Sequence, residues 1–462
     1  MGLDGSKILR LEQSEADIFI PHKKYRPFPI ELRDQPRTIC IKFRPTPPSK
    51  EYDELRDISW IVDCQFIPCS DDELITSCGA VDIWSRRTNM FPQGLICKWR
   101  LGMTTACRIY PGTSTCSQPR IHPHPNGEYV CYVGRQKICV QDLETGAVVD
   151  RERNLSYESL RSCDVSPNGA YLAFISRAGV QFELVVVEKR SVAFRVVSRV
   201  RCREINRAFE GTRSYTELVE CKWSPDSQFI AIAISTGYLS VVDCRNEERL
   251  ESYLNVVDEF KNVDRLANTL TFDFDPKSAH SILAFATRGV ANELHICNSD
   301  KKAVVRSTSL STDGEGSDGD RADGDGEIGC LRYSRRGDVI AAANGVRIRI
   351  LNSENLRVIY ILDGAAQDYG GYARRLPSWK YPSILQLSFS RFDEYLAVSS
   401  MDGFIRVWQL DADLNLQNLC RKVILASTCC DRVKFLPIPD RLKLYLLQIP
   451  DWAAARGAEA YL

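Results

Sequence analysis

Seven copies of one short strand pattern predict an all-β chain folded as a closed ring of seven blades, a β-propeller, with a small all-α segment after it. Three observations carry this. The pattern recurs over most of the 462 residues. Its central strands are apolar at every position, as in Phe229-Ile230-Ala231-Ile232-Ala233. After Trp408 the apolar period changes from that of a strand to that of a helix.

Each copy is a strand ending in an aromatic or aliphatic residue, a turn rich in Pro, Asn, Asp or Gly, a second strand, and a third. The first reads Val62 to Phe66, a turn at Pro68, Leu74 to Ser77, then Val81-Asp82-Ile83-Trp84. The second has its turn at Pro125-Asn126-Gly127, followed by Tyr129 to Tyr132 and Ile138 to Val140. The third is the plainest: Val165-Ser166-Pro167-Asn168-Gly169, Tyr171 to Phe174, Leu184 to Val187. The fourth is Trp223-Ser224-Pro225-Asp226, Phe229 to Ile232, Leu239 to Asp243, and the fifth Phe274-Asp275-Pro276, Ile282 to Phe285, Leu294 to Ile296. The sixth is Tyr333 to Gly337, Val339 to Ala342, Val346 to Ile350, and the seventh Phe389 to Asp393, Tyr395 to Ser399, Ile405 to Trp408.

A small sheet with two apolar faces cannot bury both alone, but sheets stacked around a ring cover one another. The alternating segment Thr38 to Phe43 precedes the first full copy and is expected to supply the outer strand of the last blade, fastening the ring.

Composition narrows the function classes. Lys plus Arg equals Asp plus Glu at 60 each, so no overall field favours nucleic acid or an anionic membrane. The 18 cysteines are scattered through apolar strands with no CxxC pair, and Met1 to Phe19 lacks the apolar core of a signal peptide. Reduced, mostly buried thiols in the cytoplasm or nucleus are expected. With five histidines there is little to build a zinc site from, and His122-x-His124 is read as a turn feature. No cofactor or metal is expected.

Two segments stand out from the repeats. Residues 307–327 are acidic and Gly-rich, and are expected to form a disordered loop between blades five and six. Asp318, Asp320, Asp323 and Asp325 are oxygen ligands, but Ala322 falls where a calcium loop needs its third one. Thr312 and Ser317 each precede an acid by three residues, a weak phosphorylation signal. The other segment is basic: Lys189, Arg190, Arg195, Arg199, Arg201, Arg203 and Arg207 follow the third blade's strands. Arg199, Arg201 and Arg203 are candidates for holding an acidic or phosphorylated target. Val196, Val197, Val200 and Ile205 interleave with them, so a hairpin with a solvated face is the competing reading.

In the tail, Leu416, Leu419, Cys420, Val423 and Ile424 share one helix face that Asp413 can cap. A turn then gives Leu436-Pro437-Ile438-Pro439, and Leu442, Tyr445, Leu446 and Ile449 mark a second helix. The prolines fix an extended backbone that presents Leu436 and Ile438 at little ordering cost.

Two family resemblances rest on these residues. Ser399 to Trp408, with Asp402-Gly403 in its turn, is similar to the end of a WD-repeat blade. The other copies are weaker: Ser85 and Gln409 follow Trp84 and Trp408 where Asp is usual, and no Gly-His opens a blade. The tail resembles a SOCS box. Leu416, Cys420 and Ile424, with Leu419-Cys420-Arg421, match its elongin-C motif; Leu436 to Pro439 match its cullin-5-type motif. Arg441 to Leu447 resembles the family's third helix, and Asn415 departs from its preferred Ser, Thr or Pro.

What the resemblance implies is a WD-type propeller with a SOCS box that recruits elongin C, elongin B, cullin-5 and a RING-box protein. The propeller would hold an unknown protein substrate, and the chain would act as a non-catalytic adaptor of a ubiquitin ligase. Elongin C would meet Leu416, Leu419, Cys420, Val423 and Ile424, and the cullin Leu436, Pro437, Ile438 and Pro439. The expected organisation is an N-terminal extension over 1–36, the propeller over 37–410, the box over 411–450 and a tail over 451–462. A non-ligase scaffold or signalling adaptor is the rival from another class. An enzyme on this fold finds no G-x-S-x-G, P-loop or histidine cluster to support it.

Overall fold

The computed structural model describes residues 38–42, 59–70, 72–81, 95–101, 108–111, 120–133, 138–148, 160–178, 181–189, 194–201, 218–234, 239–245, 251–255, 270–287, 293–301, 303–310, 328–345, 347–363, 384–400 and 404–410, and, in the tail, 424, 428, 430–433, 435–439, 442–443 and 446. The chain enters at β1 (Thr38–Lys42). Blade 1 follows with β2 (Ser59–Phe66), β3 (Glu73–Val81), β4 (Leu95–Arg100) and β5 (Arg108–Pro111). Blade 2 has β6 (Ile121–Pro123), β7 (Tyr129–Val133) and β8 (Ile138–Asp142). Blade 3 has β9 (Leu160–Val165), β10 (Tyr171–Ala178), β11 (Gln181–Lys189) and β12 (Phe194–Arg201). Blade 4 has β13 (Leu218–Trp223), β14 (Phe229–Ile234), β15 (Leu239–Asp243) and β16 (Glu251–Asn255). Blade 5 has β17 (Leu270–Phe274), β18 (Ile282–Thr287), β19 (Glu293–Asn298) and β20 (Ala303–Ser309). Blade 6 has β21 (Ile328–Tyr333), β22 (Val339–Asn344), β23 (Arg347–Asn352) and β24 (Val358–Asp363). Blade 7 has β25 (Ile384–Phe389), β26 (Tyr395–Ser400) and β27 (Phe404–Gln409), and takes its fourth strand from the start of the chain.

This makes a seven-bladed β-propeller. Its closure is as the alternating N-terminal segment suggested: β1 pairs antiparallel with β27, in a register from Thr38 opposite Trp408 to Lys42 opposite Phe404. The innermost strands of neighbouring blades touch around the ring, including β25 against β2 where last meets first.

Packing explains why the middle strands are apolar throughout. Along β14, Ile230 and Ile232 pack with Leu184, Val186 and Val200 of blade 3. Phe229, Ala231 and Ala233 pack with Phe272, Leu283 and Phe285 of blade 5. Alternate residues thus serve opposite interfaces, and none of Phe229 to Ala233 faces water. One such cluster fills each of the seven junctions; Cys64, Phe66 and Leu74 meet Ala397, Ile405 and Val407 at the closing one.

The turns between first and second strands repeat one piece of chemistry. In blade 3, Ser166 Oγ donates to Asn168 Oδ1 at 2.7 Å and accepts from Tyr171 N at 2.9 Å. Ser224 and Asp226 do the same in blade 4. In five blades one residue of this turn takes a left-handed backbone: Gly127, Gly169 and Gly337 and, without glycine, Ser227 and Asp393. These turns nest blade to blade. A Cβ at Gly169 would collide with the His124 ring of blade 2, and Ser227 Oγ accepts from Asn168 N at 3.1 Å.

The structure corrects the sequence reading at five points. The third strand of blade 1 is β4, not Val81 to Trp84: β3 runs on to Val81, and Trp99 takes the inner position, its indole donating to Thr76 Oγ1 at 2.9 Å. Asp82 to Trp84 lie outside the described residues. Among the described residues six sheets have four strands, not three; outer strands such as β20 are largely exposed and lack the apolar signature of the middle ones. Residues 194–201 of the basic segment form β12, the outer strand of blade 3, and not an insert after that blade; Arg190, Arg203 and Arg207 lie outside the described residues. The acidic segment begins later than 307, since β20 extends to Ser309 and Leu310 is buried against Ile328 and Tyr333; residues 311–327 lie outside the described residues. In the tail, a short helix α1 (Cys430–Val433) occupies part of the expected turn.

Candidate functional site

The next-to-last residue of each innermost strand, and the residue two before it, form two polar layers on the inner wall of the ring. The first layer is Gln65, His122, Asp164, Lys222, Asp273, Arg332 and Ser388. The second is Asp63, Arg120, Ser162, Glu220, Thr271, Cys330 and Gln386. The residues between them, such as Cys64, Cys163 and Leu331, are buried inside the blades.

These layers stitch blades together. Asp63 accepts from Ile121 N at 2.9 Å, Asp164 from Trp223 N at 2.8 Å, Asp273 from Tyr333 N at 2.8 Å, and Ser388 from Phe66 N at 2.9 Å. An ion pair joins Lys222 to Asp273 at 2.8 Å, and His122 Nδ1 lies 3.2 Å from Asp164 Oδ1. Across the axis, Glu220 of blade 4 meets Arg120 of blade 2 at 2.8 Å and Arg332 of blade 6 at 3.8 Å. Arg332 also donates to Gln386 of blade 7 at 2.8 Å. Burial alone would raise the Glu220 carboxyl, but Arg120, Arg332 and Lys222 bring it down to about 2. Asp63 moves the other way, because burial outweighs the Ile121 hydrogen bond and the nearby cations. The wall is therefore a connected charge network that spans the axis, with Asp63 Oδ1 and His122 Nε2 left without a hydrogen-bond partner among the described residues.

His122 and His124 both serve blade junctions. His124 bonds Asn126 within its turn, and its Nε2 lies 3.1 Å from Gly169 O of blade 3. Among the described residues, no group of three or more His, Cys, Asp or Glu is placed to hold a metal ion. The described cysteines are free thiols, mostly buried, and burial pushes the Cys64 and Cys221 thiols far above their ordinary range.

Of the basic candidates, Arg199 is exposed on β12 and pairs with Glu183 Oε1 at 3.3 Å. Arg201 closes the same strand, and Arg203 lies outside the described residues.

In the C-terminal box, Leu416, Leu419, Cys420 and Val423 lie outside the described residues. Ile424 is helical and 36% exposed. Backbone bonds fold the following stretch tightly: Phe435 N to Arg432 O at 3.0 Å, Leu436 N to Val433 O at 3.1 Å, Ile438 N to Leu436 O at 2.8 Å, and Leu442 N to Pro439 O at 2.9 Å. Val433 and Leu446 are buried; Leu436 and Ile438 are half-buried; Pro437 and Pro439 are exposed. Phe435, which the motif reading passed over, is 76% exposed and Leu442 50%. The signal for Phe435 was an aromatic residue directly before a proline-fixed turn, visible in sequence but not decisive without its exposure.

A closed propeller with a short helical box that turns apolar side chains outward has the build of a protein-binding adaptor. Two family models match the chain: SOCS box over residues 414–447, and WD domain, G-beta repeat, over residues 374–409. A WD repeat followed by a C-terminal SOCS box matches the WD-repeat plus SOCS-box family, as the sequence resemblance indicated. A search of curated proteins found no match. The pair of domains supports a substrate-recognition role in a cullin-RING ligase, and the SOCS box implies binding of elongin B/C and a cullin.

Proposed function

We propose that the chain is the substrate-recognition subunit of a ligase built on elongin B, elongin C, cullin-5 and a RING-box protein. The propeller holds the target and the box docks the machinery. The observation that carries this reading is the box itself: an elongin-C-type helix pattern, Leu416, Cys420 and Ile424, followed in order by Leu436-Pro437-Ile438-Pro439. A non-catalytic role follows, with proximity and orientation as the chain's contribution. Free buried thiols support a cytoplasmic or nuclear setting. Among the described residues no helix is long and apolar enough to cross a membrane.

Arg199, Arg201 and Arg203 are proposed to contact an acidic stretch of the target. Co-purification from cells tests the assignment. Elongins B and C should accompany the intact chain and be lost when Leu416 and Cys420 are both replaced by serine, with the propeller's thermal transition unchanged. Undiminished elongin in that double variant would refute it. Replacing Leu436 to Pro439 by alanine should spare elongin and release the cullin.

A further inference from the structure

We infer that Phe435 is the principal anchor of the cullin contact, a role beyond the Leu-Pro-Ile-Pro run that it precedes; this rests on the function proposed above. The argument begins with burial. If the run filled partner pockets by itself, Leu436 and Ile438 would stand clear of the box, yet both are half-buried. The outward residue is the one before them: Phe435 is 76% exposed, more than any other large apolar side chain described.

Its presentation is built in. Val433 at the end of α1 is fully buried, and the bonds from Phe435 N to Arg432 O and Leu436 N to Val433 O turn the chain sharply there. Pro437 and Pro439 fix the backbone that follows, and Leu442, half exposed, begins the next turn with its N–H on Pro439 O. An aromatic ring held by a preformed turn loses little freedom on binding and buries a large area, the usual profile of an interface hot spot.

The flanking charges indicate the partner's chemistry. Arg432 and Lys434 precede the run and Arg441 and Lys443 follow it, against Asp431 and Asp440 alone. A cullin face with an apolar pocket rimmed by acids fits this arrangement. Elongin C fits it less well, because its expected contacts lie earlier in the box, over Leu416 to Ile424.

The test uses the full chain co-purified with elongins B and C and titrated with cullin-5 by calorimetry. Phe435→Ala should weaken cullin binding at least about tenfold, Phe435→Leu only a few-fold, and both should retain elongin. Undiminished cullin affinity in Phe435→Ala overturns the inference; if the variant with alanine at 436–439 still loses the cullin, the proposed function stands without it. Loss of elongin from Phe435→Ala also overturns it, because the ring would then serve the box's fold or its other partner. An intact elongin-bound chain that does not bind cullin-5 removes the reading beneath it as well.

Discussion

Two phenylalanines mark the difference between the propeller and the box. Phe229 lies in the middle of a blade, 1% exposed, packed against Phe272 and Leu283 of the next blade. Phe435 lies on a turn of the box, 76% exposed. In the ring, every blade's faces are covered by its neighbours, including the closing pair, so its middle strands need no partner from outside. Among the described residues of the box, Val433 and Leu446 are buried while Phe435 and Leu442 are presented outward. Burying a side chain of this size contributes roughly 1.5–3 kcal/mol, and in the box most of that gain is deferred until a partner binds.

The largest expected effect breaks the first half of that comparison. Deleting residues 1–42 removes β1 and leaves the edge of β27 unpaired. The thermal midpoint should fall by roughly 10 °C or more, or the transition should lose cooperativity, measured by scanning calorimetry. An unchanged melt would mean that the seven junctions hold the ring without the closing strand.

Next comes the inner wall. Glu220→Ala leaves Arg120 and Arg332 without their shared carboxylate, and about 3 kcal/mol of stability should be lost in denaturant unfolding. The pH dependence has a definite sign. The Glu220 carboxyl sits at about 2 in the fold, against an ordinary value of 4.5. Its contribution is therefore full above 4.5 and is lost as pH falls from there towards 2. Glu220→Gln should flatten the acid limb of the stability curve across that window; an identical limb in wild type and variant would show that the cross-axis bridge contributes nothing.

How much of this could be read from the sequence follows from where each signal sits. Turns such as Ser166-Pro167-Asn168-Gly169 and middle strands such as Phe229 to Ala233 are local and repeat, so blade number and closure were legible. The outer strands were not. β20 reads Ala-Val-Val-Arg-Ser-Thr-Ser and is largely exposed, because it packs on one side only and local composition does not demand a strand. Trp84 stands where the repeat pattern expects the blade's third strand to end, but the long β3 pushes that strand beyond residue 94 and gives the position to Trp99. The charge network could not be assembled in advance, since Asp63, Arg120, Glu220 and Arg332 sit on four blades and meet only when the ring closes. In the box, the motif pattern was legible in sequence, while the division between inward Val433 and outward Phe435 depends on the turn between them.

A smaller effect is expected at the nested turns. Gly169→Ala asks an L side chain to adopt a φ of 72° and to share space with the His124 ring. The cost should be about 1–3 kcal/mol. Asn tolerates this backbone better than Ala, but its larger side chain meets the same ring. If Gly169→Asn were as stable as wild type, strain would be the whole cost; if it fell as far as Gly169→Ala, the contact with blade 2 would dominate.

The smallest effect on stability belongs to Phe435, and it sharpens the comparison most. A ring that is mostly in water contributes little to the fold that carries it, so Phe435→Ser should change unfolding free energy by no more than about 0.5 kcal/mol and should raise the solubility of the isolated chain by shrinking an exposed apolar patch. A buried phenylalanine of the propeller treated alike, Phe229→Ser, should cost at least about 3 kcal/mol. Should Phe435→Ser destabilise the chain by more than about 1 kcal/mol, the ring would be part of the box's own interior in solution, and the contrast between a self-sufficient propeller and a partner-dependent box would not hold.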